Sequence, residues 1–397
     1  MTSRTRLWVL AVSTPVIAFA IVGGFLGQVM AKDETYPHLR VFGDVVELVV
    51  QNYVEQVDVR EAMRGAMRGL ADGLDPDSAF VTPELMKAIE TNAPEPAGDV
   101  GIALTRQYYL RVVSAREGSP AAGAGLRTGD YIRAIDGRST RDMSIVEGQR
   151  LLHGAVGSNV ELLVLRGNAA EPHEVTLVRE QLTGPALTSR MANSTTGYVQ
   201  VVDFTSESPA RLKQALDALA KTGATQYVID LRGAARGDLD DGVATARLFV
   251  GKQSAGTSGD VLTAKQTKSN REIVAAQPTD GSVTAPVVLL VDQGTAGAAE
   301  VFAAALRDNS RAKLVGERTL GRAARQQLVR LPDGSGMLLS SVRYLTPKLE
   351  PIHEQGLMPD VDVDQPNVEF GAAPPAGDPT LDKALEQFDP VAQKTAA

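Results

Sequence analysis

The chain has 397 residues, 43% of them hydrophobic, which is enough for roughly two or three domains with real cores and excludes global disorder. A formal net charge of −8 argues against a nucleic-acid binder. With no cysteine, disulfides and thiolate-bound zinc are excluded, and an extracytoplasmic bacterial setting is compatible.

Arg4 and Arg6 precede a stretch without charge that runs to Lys32, and Leu7 to Met30 is largely apolar. That span reaches the roughly 20 residues that cross a bilayer. Its basic flank keeps the N-terminus cytoplasmic and sends the remainder outward. Residues 1–31 are therefore expected to be an uncleaved anchor of a single-pass inner-membrane protein whose bulk faces the periplasm. Secretion after a cut behind Val29-Met30-Ala31 is the alternative. Residues 33–95 read as helices, because Leu39, Phe42, Val45, Val46, Val49 and Tyr53 recur at helical spacing. Asp58 with Glu61 has the pattern of a capping box. Asp75-Pro76 stops that helix, Thr82-Pro83-Glu84 opens another, and Asn92 to Pro96 reads as a linker.

From Gly98 the pattern changes to short strands and turns. Tyr109–Val113 reads as a strand. Ser119 caps a short helix with Pro120 at its first position, Gly125 ends it, and Gly129-Asp130 turns into the next strand. A helix near Ser144–Leu152 and a strand at Val160–Leu165 complete this segment, taken as 97–182. Residues 185–364 alternate strands and helices, the pattern of an α/β layered core. Strands are predicted at Gly197–Phe204, Gln226–Leu231, Val287–Asp292, Lys313–Gly316, Gln327–Leu331 and Met337–Val342. Helices are predicted at Pro209–Thr222 with Ser208 as cap, at Leu239–Val250 and at Ala298–Asn309. Asp333–Gly336 reads as a hairpin turn. The proline-rich end, 365–397, is expected to be a flexible tail. The fold class is thus multidomain α/β: anchor, helical segment, strand-rich module and α/β core.

The run Gly118-Ser119-Pro120-Ala121 … Ala124-Gly125-Leu126 … Gly129-Asp130 … Ile135-Asp136-Gly137 is similar to PDZ domains. The apolar strand ending at Val291 feeds Asp292-Gln293-Gly294-Thr295-Ala296-Gly297 and then a helix, a common seat for a nucleophile. A second turn ends at Leu320-Gly321-Arg322. These turns resemble the C-terminal processing peptidases, or tail-specific proteases, which carry Gly-Thr/Ser-Ala-Ser-Ala-Ser-Glu and Phe-Gly-Lys there. Asp230-Leu231-Arg232, Gly316-Glu317-Arg318-Thr319, Asp333-Gly334-Ser335, Arg343-Tyr344-Leu345-Thr346-Pro347 and Gly356-Leu357-Met358-Pro359-Asp360 match further motifs of that family. The resemblance implies a serine endopeptidase fold in which a hydroxyl attacks the peptide carbonyl and a neutral lysine takes its proton.

By the same resemblance the nucleophile maps on Gly297, the base on Arg322, and the glutamine that orients the base on Gln326. The oxyanion donors map on Ala298 and on a loop Asn-Pro-Gly-Gly that here reads Ala234-Ala235-Arg236-Gly237. Gly297 has no atom to attack with, and a guanidinium, with a pKa roughly above 12, is no base. No catalytic residue is intact, and a pseudo-peptidase is expected; an active serine-type endopeptidase cleaving near protein C-termini is the alternative. A PDZ groove adds a peptide as a strand and holds its carboxylate in backbone N–H groups. The resemblance assigns that role to Gly101, Ile102, Ala103 and Leu104. Expected partners are protein C-termini, a second copy or an active paralogue, and the membrane, with no nucleic acid. No cofactor or metal is expected. His38, His153, His173 and His353 are not at ligand spacing and read as surface or hydrogen-bonded histidines. Asp238, Asp240 and Asp241 read as a helix N-terminus rather than a paired-carboxylate site.

Overall fold

The structure, a computed structural model, describes residues 35–91, 96–167, 171–251, 260–364, 368–372 and 377–388. The chain divides into two compact units, 1–69 and 70–397. In the first lie α1 (Thr35–Asn52) and most of α2 (Val59–Asp72). Asp58 accepts from Arg60 N at 2.9 Å, whereas Glu61 turns to Arg64 and Arg68, so the expected capping box is only half made. The apolar stripe of α1, with Leu39, Phe42, Val45 and Val49, is exposed. Among the described residues no helix is long and apolar enough to cross a membrane. The expected anchor at 1–31 lies outside the described residues.

The second unit opens with β1 (Ala79–Val81) and α3 (Pro83–Glu90). Thr82 caps α3 by accepting from Leu85 N, with Pro83 at the first position, as the sequence predicts. The PDZ-like module follows as β2 (Ile102–Gln107), β3 (Tyr109–Ala115), α4 (Pro120–Gly123), β4 (Tyr131–Ile135), β5 (Arg138–Ser139), α5 (Ile145–Leu152), β6 (Asn159–Leu165) and β7 (His173–Val178). Its sheet runs β2-β3-β4-β6-β7, with β5 beside β4, so β2 is an edge. Ser119 and Ser144 cap α4 and α5, the latter in a full capping box with Glu147.

The remaining elements are β8 (Leu187–Met191), β9 (Thr196–Val201), α6 (Ser208–Lys221), β10 (Gln226–Asp230), α7 (Leu239–Ala246), β11 (Val261–Gln266), β12 (Arg271–Ala275), β13 (Val287–Val291), α8 (Ala298–Asp308), β14 (Ala312–Gly316), β15 (Ala324–Arg330), β16 (Gly336–Leu345), β17 (Val361–Asp362) and α9 (Pro379–Glu386). One sheet runs β17-β14-β13-β10-β9-β8, parallel except for β8. Its central strands are buried on both faces, which is why β13 reads as continuous apolar sequence. Ile229, Leu289 and Val291 pack with Leu212, Leu216, Val243, Val301 and Phe302 of the helices α6, α7 and α8. Val228, Val288 and Leu290 point the other way, onto Leu381, Ala384 and Leu385 of α9. A second, antiparallel sheet runs β1-β16-β11-β12, with β15 beside β16.

Three expectations need correction. Ser208 is not the cap of α6 but its first residue, and its Oγ accepts from Thr205 N at 2.8 Å. Helix α7 ends at Ala246 rather than Val250, because Gly281 N and Val283 N take the carbonyls of Arg247 and Leu248. The proline-rich end is not all loose: Asp378 caps α9, whose Ala384 is fully buried against the sheet.

Candidate functional site

Strand β13 brings the chain to the expected turn, and α8 carries it away. Gly297 is the residue before the helix, at φ 65° and ψ −120°. That is the left-handed side, where a side chain strains the backbone, and such a strained strand-to-helix turn is what seats a hydrolase nucleophile. Space is not the obstacle: a Cβ on Gly297 would stand 3.7 Å from Arg322 O and 4.0 Å from Leu239 Cδ2. The elbow geometry is present, and the residue at its apex has no side chain. The only hydroxyl in the turn, on Thr295, is fully buried and donates to Leu231 O at 2.9 Å.

Glu300 joins the two turns. Its buried carboxylate accepts from Gly297 N at 3.0 Å, Gly321 N and Arg322 N at 2.7 Å, and the Thr319 hydroxyl. Burial raises this carboxyl above its usual range, and these donors oppose the rise. The place of Glu300, three residues after the helix N-cap, is the sequence signal of a capping glutamate, a signal the motif comparison alone passes over. On the other side of the turn, Asp292 Oδ1 accepts from Gly233 N and Gly294 N, each at 3.0 Å. Burial lifts the Asp292 carboxyl to about 6, the Gly233 hydrogen bond opposes this, and the charge of Asp230 adds to it.

Arg322, onto which the resemblance maps the base, lies beside Gly297, and its guanidinium is committed elsewhere. Its Nε stands 2.8 Å from Asp77 Oδ1 as an ion pair, and Nη1 donates to Leu104 O at 3.0 Å. Gln326 does not orient it: the amide Nε2 donates to Ala324 O at 2.9 Å, next to a register shift in β15. Ala298 opens α8, so its N–H is among those a helix N-terminus leaves free. In the loop 234–237, onto which the resemblance maps an oxyanion donor, Ala234 O accepts from Ala296 N, and Gly237 lies against Phe204. Arg236 reaches out of this loop to Asp99 Oδ2 at 3.0 Å and Ile102 O at 3.3 Å.

The expected carboxylate loop is only partly a loop. Ile102, Ala103 and Leu104 belong to β2, paired with Ala115, Ser114 and Val112, and all three are buried. Gly101 alone turns, at φ 81°, where a Cβ would meet Ser119 Cβ at 2.3 Å. Its N–H already serves Asp99 Oδ1 at 3.0 Å. The carbonyls along the β2 edge are also taken, Ile102 O by Gln149 and Arg236 and Leu104 O by Arg322.

Two of the three acidic residues, Asp238 and Asp240, make structural contacts. Asp238 caps α7 through Asp240 N, and Asp240 binds Lys265, Arg325 and Tyr344. His353 breaks its expectation: it is buried, yet neither ring nitrogen has a hydrogen-bond partner.

Comparisons with known proteins agree with this framework. A model of peptidase family S41 matches residues 195–363, and a PDZ-domain model matches residues 111–166. The chain is 30% identical over 363 residues to the carboxyl-terminal-processing protease of Synechocystis sp., covering 89% of this chain and 82% of that protein. It is 28% identical over 377 residues to the carboxy-terminal processing protease CtpA of Bacillus subtilis, covering 92% of this chain and 79% of the relative. Among solved structures it resembles a photosystem II D1 C-terminal processing protease, with a TM-score of 0.67 and 30% identity over 80% of this chain and 85% of that one.

Proposed function

The chain belongs to the C-terminal processing peptidases of family S41, and we propose that it acts among them as a pseudo-peptidase, a scaffold or regulator that takes protein C-termini in its PDZ groove. The observation that carries this reading is Gly297 in an otherwise preserved elbow, beside an Arg322 bound to Asp77 and Leu104 O. The serine-type attack of this family needs a hydroxyl next to a proton acceptor. Here the first has no side chain and the second is a permanent cation. The site of action is the periplasmic side of the inner membrane, a reading supported by the apolar stretch Leu7–Met30 behind Arg4 and Arg6. The exposed apolar stripe of α1 supports pairing with a second copy or an active paralogue.

Peptide binding has a stated mechanical cost in this reading. A strand adding to β2 must displace Arg236, Gln149 and Arg322 from the carbonyls of Ile102 and Leu104. Its terminal carboxylate would exchange with Asp99 for the N–H of Gly101. The test combines two assays on the purified protein. Fluorophosphonate labelling and cleavage of unstructured, C-terminally tagged peptides are expected to be negative. Binding of a C-terminal peptide library is expected to be abolished by C-terminal amidation and strengthened severalfold by Arg236→Ala. Robust cleavage by the unmodified chain would overturn the pseudo-peptidase reading, and binding indifferent to amidation would overturn the PDZ reading.

A further inference from the structure

We propose that Asp75, Asp77 and His353 form a binding site for a divalent transition cation, with zinc or manganese as the fitting ions. The ligand atoms of these three residues all lie within 4.8 Å of one another, with His353 Nε2 3.9 Å from Asp75 Oδ1. A cation about 2.0–2.2 Å from each donor spans such a gap after a small adjustment. All three residues are buried. Both nitrogens of His353 and Asp77 Oδ1 lack a hydrogen-bond partner. Buried polar atoms are rarely left so, and a shared cation would satisfy the imidazole and the carboxylate together.

Asp75 is already oriented for the task. Its Oδ1 accepts from Asp77 N at 2.9 Å, Ser78 N at 2.8 Å and Ser340 Oγ at 3.1 Å, and its Oδ2 accepts from Ser78 Oγ at 2.9 Å. Outer donors of this kind fix a ligating carboxylate. One imidazole with two carboxylates favours zinc or manganese, whereas magnesium and calcium prefer oxygen alone. Three protein ligands leave a position for water. A cavity of about 450 Å³ opens beside Asp75, its charged lining mixed: Asp72, Asp142 and Glu354 with Arg106 and Arg141, and Arg106 pairs with Asp72. Arg322 is the competitor: its Nε shares Asp77 Oδ1 at 2.8 Å without the alignment of a hydrogen bond. Metal binding therefore requires that guanidinium to yield, and a neutral side chain there opens the site. This inference stands independently of whether the chain is a pseudo-peptidase.

The test is calorimetric titration of full-length, untagged, EDTA-stripped protein with ZnCl₂ and, separately, MnCl₂, with thermal melts alongside. One ion per chain and a raised Tm are expected for at least one of the two, with no saturable heat from MgCl₂ or CaCl₂ at the same concentration. His353→Gln and Asp77→Asn should each weaken binding by about 10-fold or more, and Arg322→Met should strengthen it. Metal-free melts identify a variant that fails to fold, and the other variant then decides. Absence of stoichiometric binding of both ions, or binding undiminished in every folded variant, overturns the proposal.

Discussion

Gly297 combines an absent side chain with a conformational relief. At φ 65° and ψ −120° a residue with a Cβ is strained, and a serine there is tolerated only where the surroundings force it. Glu300 supplies that force, since its carboxylate holds Gly297 N, Gly321 N and Arg322 N at once. Gly297→Ser is therefore expected to fold but to lose about 1–3 kcal/mol of stability. Gly297→Ala should lose a similar amount, because the strain belongs to the Cβ and not to the hydroxyl. Denaturant unfolding of both variants measures this; a stabilised serine variant would refute the strain argument. The missing side chain at 297 is plain from residue identity alone. Where the Arg322 guanidinium goes is not, because Asp77 and Leu104 come to it from distant parts of the chain.

Helix α7 shows how an acidic cluster at a helix start becomes a structural joint. Asp238 caps it, while Asp240 reaches across to Lys265 on β11, Arg325 on β15 and Tyr344 on β16. Burial works to raise the Asp240 carboxyl, but hydrogen bonds from Lys265, Arg325 and Tyr344 outweigh it and bring it down to about 2 from 3.8. A depressed carboxyl stabilises the fold above its unfolded value and loses that contribution as pH falls through its folded value. Asp240→Asn should thus lower Tm at pH 7, and the gap to the parent protein should close as pH falls to about 2. A gap independent of pH would mean that packing, not charge, makes the joint. The capping sequence of α7 was legible, as was that of α3 and α4, because caps act within a few residues. The end of α7 was not, since strangers in sequence, Gly281 and Val283, take its last carbonyls.

Across the second unit, an ion-pair cluster ties the mostly parallel sheet to α9. Arg232, just past β10, donates to Asp230 and to both oxygens of Asp378, at 2.9 and 2.7 Å, and Tyr198 donates to Asp230 at 2.6 Å. Asp378 in turn caps α9, which covers Val288 and Leu290 of the sheet. Removing Arg232 strands a buried Asp230, so Arg232→Ala should cost about 3 kcal/mol. Adding Asp230→Asn should recover part of it, and a double-mutant cycle by denaturant unfolding checks the coupling. The tail looked formless because its prolines dominate the composition, while the apolar face of α9 amounts to only Leu381, Ala384 and Leu385.

Sequence alone determined the periodic elements, the family of the fold and the identities, Gly297 and Arg322, onto which the resemblance maps a nucleophile and a base. Those features are local: a repeat of apolar residues, a cap, a glycine where an oxygen is needed. The tertiary structure decided which way Arg322 and Arg236 point, that the edge of β2 is already occupied, and that Asp75, Asp77 and His353 meet. Each depends on residues far apart in the chain being brought within a few ångströms, where burial sharpens every unpaired charge and every unmade hydrogen bond.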